Sequence, residues 1–378
     1  MQQIPVFKPL IQPEEISAAV ASLEQGWLGM GASVGAFETA LQGAVGAEGR
    51  HVVAVNTGHS ALHLALMMAG VGPGDEVITP SFNNIADFQA ILAVGASPVF
   101  CDILNDTLCL DVSKAESLVS SRTKVIIAMD YDCFLADHDA VSKMAQRHNL
   151  RVIHDAAHSI GSTYKGKSIG SFSDICMFSF DPVKTITCID GGALVVRTAE
   201  EASALQEMRL IGMGQPVSVM YGNERAWTYD VKRLGFRYHM ANLHAAIGLA
   251  QLAKLPQISR SRQESCKHYN TRLSAVPLVS TPNSDFVDVT PFLYYIRVPE
   301  ETREPLRAFL KAAGVDTGIH WQPGHWFSLF KDTLRGDLSV TENVGKEILS
   351  LPLHSMMAVE TVDRVCDAIA EFYVDWRP

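Results

Sequence analysis

Lys184 is the residue whose type and surroundings point most directly to chemistry. It closes a short apolar run interrupted by a proline, Phe178 to Lys184, and a glycine pair follows at positions 191–192. About thirty residues upstream, a second apolar run ends in an acid, Asp155. An amine that forms a Schiff base and a carboxylate that pairs with a pyridinium nitrogen are the groups that pyridoxal phosphate chemistry requires. The pair therefore predicts an enzyme that uses pyridoxal 5'-phosphate.

Each of these residues also has a simpler explanation when it is considered alone. Most lysines are solvated surface residues, and an aspartate at the end of a strand commonly caps the segment that follows. Against this, the segment around Lys184 is apolar, and a lysine removed from water has a lowered pKa and can act as a nucleophile. Asp155 also ends a strand where open α/β sheets place their ligand-binding groups.

A candidate anion site lies at the start of the first clear helix. The segment from Thr57 to Ser60 lies between a strand and a helix, so backbone N–H groups and the helix dipole can hold an anion there. The Ser60 hydroxyl adds a donor. An ordinary helix cap explains the same residues, and the two interpretations are compatible. The predicted phosphate-binding residues are Gly58, His59 and Ser60.

The composition is that of a large globular protein. The 378 residues are 47% hydrophobic and 19% charged, which suits one large and one smaller domain. A net charge of −10 argues against a nucleic-acid or membrane-surface partner. No apolar run reaches the roughly 18 residues of a membrane-spanning helix, and the first residues lack a signal-peptide pattern. The seven cysteines are scattered without a CxxC pair, so we expect no metal site, no disulfide scaffold and a cytoplasmic location.

Short apolar strands alternate with amphipathic helices from about residue 50 to residue 200. Strands are predicted at 51–55, 76–79, 98–101, 124–129 and 151–153, and helices at 60–69 and 89–94. Near-continuous apolar strands joined by helices indicate a mostly parallel sheet that is covered on both faces. The predicted fold class is therefore α/β.

The pattern changes near residue 243. A long helix is predicted over 241–255, followed by a strand at 292–298 and helices at 303–313 and 362–372. These elements predict a smaller α+β unit after the larger one. We place the boundary near residue 250, with a large cofactor-binding domain over 1–250 and a small C-terminal domain over 251–378.

Several motifs together resemble the DegT/DnrJ/StrS family of sugar aminotransferases, which have the aspartate aminotransferase fold. The similarity extends over nearly the whole chain and rests on the order and spacing of residues 25–28, 62–66, 72–78, 155–158, 178–184, 245–252 and 351–354. The resemblance implies a pyridoxal-phosphate-dependent enzyme of fold type I.

The resemblance also implies roles for individual residues. Lys184 forms the Schiff base and later moves the proton, Asp155 pairs with the pyridinium nitrogen, and His158 lies against the phenolic oxygen or the ring of the cofactor. Ser179 joins residues 58–60 in holding the phosphate. The predicted substrate-binding residues are Trp27, His320 and His325. Ordinary loop packing explains the two histidines equally well.

Several positions depart from the family pattern. Where relatives have an aromatic residue that stacks on the cofactor ring, this chain has Asn84, so either Phe82 takes that place or the stacking is weaker. Arg237 stands where relatives have an asparagine that reaches the phosphate of the neighbouring subunit's cofactor. It could make the same contact with a bidentate fork, or bind a phosphate or carboxylate of the substrate. Asp181 and His239 also differ, and these changes leave the cofactor chemistry intact.

Three functions remain open at this point. The first is transfer of an amino group from glutamate to a keto-sugar, and a nucleotide-linked 3- or 4-keto-6-deoxyhexose is the expected acceptor. The second keeps the cofactor but uses a keto-cyclitol or another free carbohydrate. The third is a cofactor-binding regulatory protein without turnover, which no DNA-binding helix pair or basic stripe supports. The resemblance further implies a homodimer with shared active sites, and the aromatic and basic cluster 227–239 suits such a contact.

Overall fold

The computed structural model describes residues 3–214 and 216–376 and confirms the α/β class. Its strands are β1 (His51–Val55), β2 (Glu76–Pro80), β3 (Ser97–Cys101), β4 (Thr123–Met129), β5 (Arg151–Asp155), β6 (Thr163–Tyr164), β7 (Lys167–Ser168), β8 (Ile175–Ser179), β9 (Gly192–Val196), β10 (Tyr294–Arg297) and β11 (Ile348–Leu351). Its helices are α1 (Pro13–Gln25), α2 (Ala32–Ala44), α3 (Gly58–Met68), α4 (Ile85–Ala93), α5 (Val112–Ser117), α6 (His138–His148), α7 (Ala199–Met208), α8 (Val217–Tyr221), α9 (Asn242–Leu273), α10 (Glu300–Ala312), α11 (Ser339–Glu347) and α12 (Val359–Asp375).

The central sheet has seven strands in the order β1-β9-β8-β5-β4-β2-β3. Neighbouring strands from β8 to β3 are parallel, whereas β9 runs antiparallel to both of its neighbours. Most residues of these strands are buried, because helices cover both faces of the sheet. The predicted mostly parallel sheet is therefore confirmed. The strands β1, β5 and β8 end at the same edge, which is where open α/β sheets form ligand sites.

Side-chain caps fix the starts of the two helices beside this edge. The Thr57 side chain accepts a hydrogen bond from the Ser60 N–H, so α3 begins at Gly58. The Asn84 side chain accepts from the Ala86 N–H, so α4 begins at residue 85 instead of the predicted 89. Both helices therefore point their N-termini towards the edge of the sheet.

Helix α9 is much longer than the sequence pattern predicted. It continues from Asn242 to Leu273, through Pro256, although the prediction ended at residue 255. The helix continues because its buried face continues: Ile258, Cys266 and Tyr269 are fully buried beyond the proline. The predicted domain boundary near residue 250 falls inside this helix, so the division into 1–250 and 251–378 stays a prediction.

The C-terminal part is built around the antiparallel pair β10–β11, with α10, α11 and α12. The N-terminal segment joins it through a bridge between Ile4 and Val315. No helix in the described part of the chain is both long and apolar enough to cross a lipid bilayer. All seven cysteines are unpaired and buried.

Candidate active site

A cavity of about 420 Å³ opens at the edge of the sheet where β5 and β8 end. Asp155 and Ser179, the last residues of those strands, line it together with Gly58, the first residue of α3. Lys184, in the loop that joins β8 to β9, lines the same cavity. A volume of several hundred Å³ is typical of sites for small ligands. The fold thus brings together four residues that are far apart in the sequence.

Lys184 is held by a tight turn in its loop. The Lys184 N–H donates to the Asp181 carbonyl at 3.0 Å, and the Asp181 carboxylate accepts from the Val183 N–H at 3.0 Å. The amine lies 4.3 Å from the centre of the Phe292 ring. Burial lowers the pKa of the Lys184 amine, although the carboxylates of Asp155 and Asp181 act in the opposite direction. A lowered pKa increases the fraction of neutral amine, which is the nucleophilic form.

Asp155 is a buried acid of the cavity. Its Oδ1 accepts a hydrogen bond from the Ala157 N–H at 3.0 Å, and 3% of the residue is exposed. Burial raises the pKa of this carboxyl to about 6, and the charge of Asp130 acts in the same direction. Asp87, in the first turn of α4, is a second buried carboxyl beside it, and its pKa is raised by burial and by the charge of Asp155. A carboxylate in this environment is stabilised by a cationic partner such as a pyridinium nitrogen.

The start of α3 forms the end of the cavity that suits an anion. Gly58 lies so close to Ser179 that an added Cβ would be 2.7 Å from Ser179 Oγ. His59, the next residue, is exposed and also lines the cavity. A helix N-terminus offers unpaired N–H groups and a favourable dipole to a phosphate. Gly58, His59 and Ser179 therefore remain candidates for phosphate contacts.

Ser60 and Phe82, two of the predicted cofactor-binding residues, do not line the cavity. The Ser60 hydroxyl donates to Asn56 Oδ1 at 2.7 Å and lies 2.7 Å from Thr57 Oγ1, so its contact with a phosphate stays a prediction. Phe82 is fully buried in the core, where its ring centre lies 5.3 Å from that of Tyr131. This position of Phe82 favours the other alternative, weaker stacking on the cofactor ring, and a contact between Phe82 and the cofactor stays a prediction.

The two predicted histidines of the loop 320–325 lie in different environments. His320 lines the cavity, and burial lowers its pKa to about 4. Its Nδ1 lies 2.9 Å from Ser350 Oγ. His325 is buried outside the cavity, with Nδ1 2.8 Å from Ser81 Oγ and Nε2 3.3 Å from the Glu342 carboxylate. His320 therefore remains a candidate for substrate contact, whereas the contacts of His325 favour the packing alternative and its contact with substrate stays a prediction.

His158 lines the cavity between two aromatic rings that no motif had indicated. Its ring centre lies 4.4 Å from that of Phe292 and 6.0 Å from that of Trp321. Both aromatic residues line the cavity, and Asn84 lies at its edge as the cap of α4. Phe292 and Trp321 come from the C-terminal part of the chain, so only the tertiary structure brings them to the strand ends. Asp87 was also missed, because an acid in the first turn of a helix is an ordinary feature.

Trp27 and Arg237 lie outside the cavity of this chain. The Trp27 indole N–H donates to the Met30 carbonyl at 3.0 Å, and the Arg225 guanidinium lies 5.6 Å from the centre of the ring. Arg237 is exposed, and its main chain pairs with Leu210. Any contact of these two residues with the cofactor or the substrate stays a prediction.

Asp130, His138 and His154 form a buried cluster of the kind that can ligate a metal. Hydrogen bonds account for their arrangement, because Asp130 lies 2.8 Å from His138 Nε2 and 2.6 Å from His154 Nε2. Ser159 Oγ also donates to Asp130 at 2.6 Å. These hydrogen bonds hold the Asp130 carboxylate in place, and its charge contributes to the raised pKa of Asp155.

A lysine amine, a buried carboxyl and a helix N-terminus in one cavity define a pyridoxal-phosphate-dependent enzyme of fold type I. The residues present suit that cofactor, since Gly58 has no side chain and so lets the Ser179 hydroxyl lie against the helix N-terminus, where a phosphate can bind. The chain belongs to the DegT/DnrJ/EryC1/StrS aminotransferase family, whose model matches residues 9–370.

Known relatives cover nearly the whole chain. The spore coat polysaccharide biosynthesis protein SpsC of Bacillus subtilis (strain 168) is 35% identical over 377 residues, which are 97% of this chain and 96% of the relative. The Helicobacter pylori aminotransferase PseC, involved in the biosynthesis of pseudoaminic acid, superposes with a TM-score of 0.91 at 25% identity over 99% of this chain and 100% of the other. DesV of S. venezuelae, solved in complex with a ketimine intermediate, gives 0.89 at 30% identity over 100% of each chain.

These comparisons confirm the predicted family, fold type and cofactor. The protein is a pyridoxal-phosphate-dependent sugar aminotransferase.

Proposed function

We propose that the protein transfers an amino group from glutamate to a nucleotide-linked keto-sugar, with a 3- or 4-keto-6-deoxyhexose as the acceptor. The observation that carries the proposal is that Lys184 and Asp155 line one cavity in a member of a sugar aminotransferase family. One relative belongs to spore coat polysaccharide biosynthesis and another to pseudoaminic acid biosynthesis. Sugars that enter such polymers are generally activated as nucleotide conjugates, which supports a nucleotide-linked acceptor.

The lining residues have distinct tasks in this proposal. Bound pyridoxal phosphate supplies an electron sink for the bond that breaks at the amino-bearing carbon. Lys184 is the base that takes the proton from the donor and returns it to the acceptor, because burial favours its neutral form. Asp155 keeps the ring nitrogen protonated, while the N–H groups at Gly58 and the Ser179 hydroxyl hold the phosphate. The Phe292 ring excludes water from the amine.

The charge of the lining supports a site that a second copy of the chain completes. The carboxyls of Asp87, Asp155, Asp181 and Asp190 line the cavity, whereas no arginine does so among the described residues. A dicarboxylic donor and a phosphorylated acceptor both require cations. We therefore infer a homodimer in which Arg237 of one protomer reaches the site of the other.

The surface beside Arg237 supports this inference. Trp227 and Leu234 are 87% and 69% exposed, and Tyr229 and Val231 between them are also exposed. Exposed aromatic and apolar side chains next to an arginine are typical of the centres of protein interfaces. Burial of this segment against a second copy would place its cations beside an acidic cavity.

The same acidic lining favours the second candidate, a keto-cyclitol or another uncharged carbohydrate. Such a substrate needs no cation, and the carboxylates of Asp181 and Asp190 can accept hydrogen bonds from its hydroxyl groups. The two acceptors differ in one testable respect, because only the nucleotide-linked sugar is displaced by a free nucleoside diphosphate.

Spectroscopy with the purified protein tests the proposal. Added pyridoxal phosphate should give an absorbance band near the edge of the visible spectrum, and this band should be absent in Lys184→Ala. Glutamate should abolish the band in the wild-type protein. Keto-sugars are then added, either as nucleotide conjugates or as free sugars. Only a keto-sugar that accepts the amino group should restore the absorbance band, and mass spectrometry identifies the aminated product.

The outcomes separate the candidates. Restoration by nucleotide-linked sugars that is inhibited by free nucleoside diphosphates supports the proposal. Restoration by free carbohydrates, without inhibition by millimolar nucleoside diphosphate, supports the second candidate. If glutamate leaves the absorbance band unchanged, both aminotransferase candidates are contradicted, and a cofactor-binding protein without turnover remains.

A further inference from the structure

Asp132 is a buried acid that none of the roles above uses. It follows β4 in a tight turn in which the Phe134 N–H donates to the Tyr131 carbonyl at 2.8 Å. Its φ of 49° lies in the left-handed region, which aspartate tolerates better than most residues. The residue is 1% exposed, and it is not part of the cavity lining. The turn therefore directs the carboxyl into the protein, behind the wall of the cavity.

The ring of His158 lies against this carboxyl. Asp132 Oδ1 lies 3.0 Å from His158 Nδ1, and the two side chains are 0% and 1% exposed. Neither oxygen of Asp132, nor His158 Nδ1, has a well-aligned hydrogen-bond partner in the described chain, and the 3.0 Å approach between them is itself a close contact outside ideal hydrogen-bond alignment. The nearby Tyr131 hydroxyl donates to the His320 carbonyl. A buried polar group without a partner costs about 1–3 kcal/mol, so the approach of these two groups requires an explanation.

A single proton shared between Asp132 and His158 explains why these two buried groups lie so close together. Burial raises the pKa of Asp132 to about 8, although the Lys184 charge and the adjacent Tyr131 hydroxyl oppose the shift. Burial also lowers the pKa of His158 well below its usual value, and the charges of Lys184 and His320 add to the effect. At neutral pH the carboxyl is therefore protonated and the imidazole is neutral. The other ionisable groups that face the pair are Asp130, Tyr131, Tyr295, Cys109 and Cys133.

The protonation state decides which nitrogen of His158 carries hydrogen. A protonated Asp132 donates to Nδ1, so the hydrogen of the neutral ring is at Nε2. Nε2 is the ring nitrogen that remains for the cavity, because Nδ1 faces Asp132. The rings of Phe292 and Trp321 flank His158 and restrict its rotation.

We propose that Asp132 is a positioning residue that fixes His158 in the tautomer with its N–H at Nε2, where it donates a hydrogen bond to an oxygen anion of the bound cofactor. The donor is neutral, so it adds no charge beside the Lys184 amine. This inference rests on the cofactor occupying the cavity described above. Asp132 acts only through His158, because it does not itself reach the cavity.

The variants Asp132→Asn and Asp132→Leu separate this role from simple packing. The asparagine amide can still donate to Nδ1, whereas leucine cannot. Binding is measured with 4'-deoxypyridoxine 5'-phosphate, which keeps the phenolic oxygen and the phosphate but forms no bond with Lys184. Loss of a hydrogen bond to a charged group should weaken binding about ten- to a hundredfold in Asp132→Leu. Asp132→Asn should bind within about threefold of the wild type, since the donor is restored.

Two further readouts do not depend on how well the leucine variant folds. Binding to the wild type should weaken as pH rises through about 8, where Asp132 loses its proton, and this step should be missing in Asp132→Asn. Nitrogen-15 NMR of the apoprotein with labelled histidine should show hydrogen at Nε2 of His158 in the wild type and in Asp132→Asn. Hydrogen at Nδ1 of the wild-type protein overturns the proposal, and so does an identical pH step in both proteins.

Asp155→Asn and Asp102→Asn complete the design. Asp102 is fully buried outside the cavity and pairs with Lys114, so its substitution should leave analogue binding unchanged. Weak binding by Asp155→Asn together with wild-type binding by Asp132→Leu overturns the role of Asp132 and leaves the cavity assignment standing. Unchanged binding in both variants overturns both assignments.

Discussion

Replacement of Gly192 by alanine tests whether the start of α3 is the phosphate end of the site. Gly192 begins β9 and pairs with Val55 of β1 and Ser179 of β8. An added Cβ would lie 2.4 Å from the Thr57 carbonyl oxygen and 2.9 Å from the Gly58 nitrogen. These are backbone atoms, which cannot rotate away as a side chain can. An ordinary contact begins near 3.4 Å, so the start of α3 must move by about 1 Å.

The size of the effect follows from this overlap. Insertion of a methyl group into a packed site typically costs about 1–3 kcal/mol. Because β9 is held by strands on both sides, we expect the segment at Thr57 and Gly58 to give way. The free energy of unfolding of the apoprotein should fall by roughly 1–3 kcal/mol. The apparent Kd for pyridoxal phosphate should rise about tenfold for every 1.4 kcal/mol of lost binding energy.

Urea unfolding of the apoprotein and fluorescence titration with pyridoxal phosphate measure the two quantities. Gly43→Ala is the matched control, because Gly43 lies in α2 and an added Cβ meets nothing within 4 Å. That substitution should leave the affinity unchanged and raise stability by up to about 1 kcal/mol. If Gly192→Ala loses stability but keeps full affinity, the phosphate does not bind at the start of α3. Wild-type behaviour in both measurements would refute the steric reasoning itself.

Three further predictions concern strain, charge and a buried ion pair. Ile189 has a φ of 70°, in the left-handed region that is costly for residues other than glycine. Ile189→Gly should therefore raise the melting temperature, with a gain of up to about 1 kcal/mol in the free energy of unfolding. No gain would show that the backbone at this position is unstrained. The pKa of Asp155 is about 6 in the folded protein, which is above its value in the unfolded chain, so the stability of the apoprotein should fall as pH rises from about 4 to 6. Asp155→Asn should therefore be more stable than the wild type by roughly 2–3 kcal/mol at pH 7 but not at pH 3.5. Urea unfolding at the two pH values checks this. Arg209→Met leaves the buried Glu38 without its cation and should cost about 3–5 kcal/mol in the same assay, whereas Tyr221→Phe, which keeps the ion pair, should cost about 1 kcal/mol.

The mostly parallel sheet follows from local sequence patterns. Runs such as Lys124 to Met129 are too apolar for a half-exposed strand, and strands that are buried on both faces imply helices on both sides. Parallel strands end at one edge, so an acid that ends β5 and a loop that follows β8 must lie near each other. This reasoning places Lys184 and Asp155 in one cavity, as the structure does, although their roles in catalysis stay predictions.

The remaining features depend on contacts between residues that are distant in the sequence. Phe292 and Trp321 line the cavity only because the C-terminal part packs over the strand ends. Phe82 was a candidate to stack on the cofactor ring, but its ring packs on Tyr131 in the core. No local pattern distinguishes these cases, because each ring is equally apolar in the sequence.

Helix α9 shows the same limitation for secondary structure. Pro256 lacks an N–H and crowds the preceding turn, which usually costs about 3 kcal/mol in a helix interior. The sequence therefore predicts a break there. Burial of Tyr269 and Leu273 on the continuing face offsets that cost. This compensation for Pro256 comes from tertiary packing, which the helix propensities of the residues do not describe.

The direction of β9 has a consequence for how the reactive amine is presented. Because β9 runs against β8, the chain that leaves the sheet at Ser179 returns to it at Gly192 on the same side. The segment that carries Lys184 is thus anchored at both ends by ladders of hydrogen bonds. A parallel β9 would have needed a crossover of about a dozen or more residues to the far side of the sheet, and only one end of that connection would have been near the cofactor. The entropy lost in fixing the lysine is therefore lost once, during folding, and not again in each catalytic cycle.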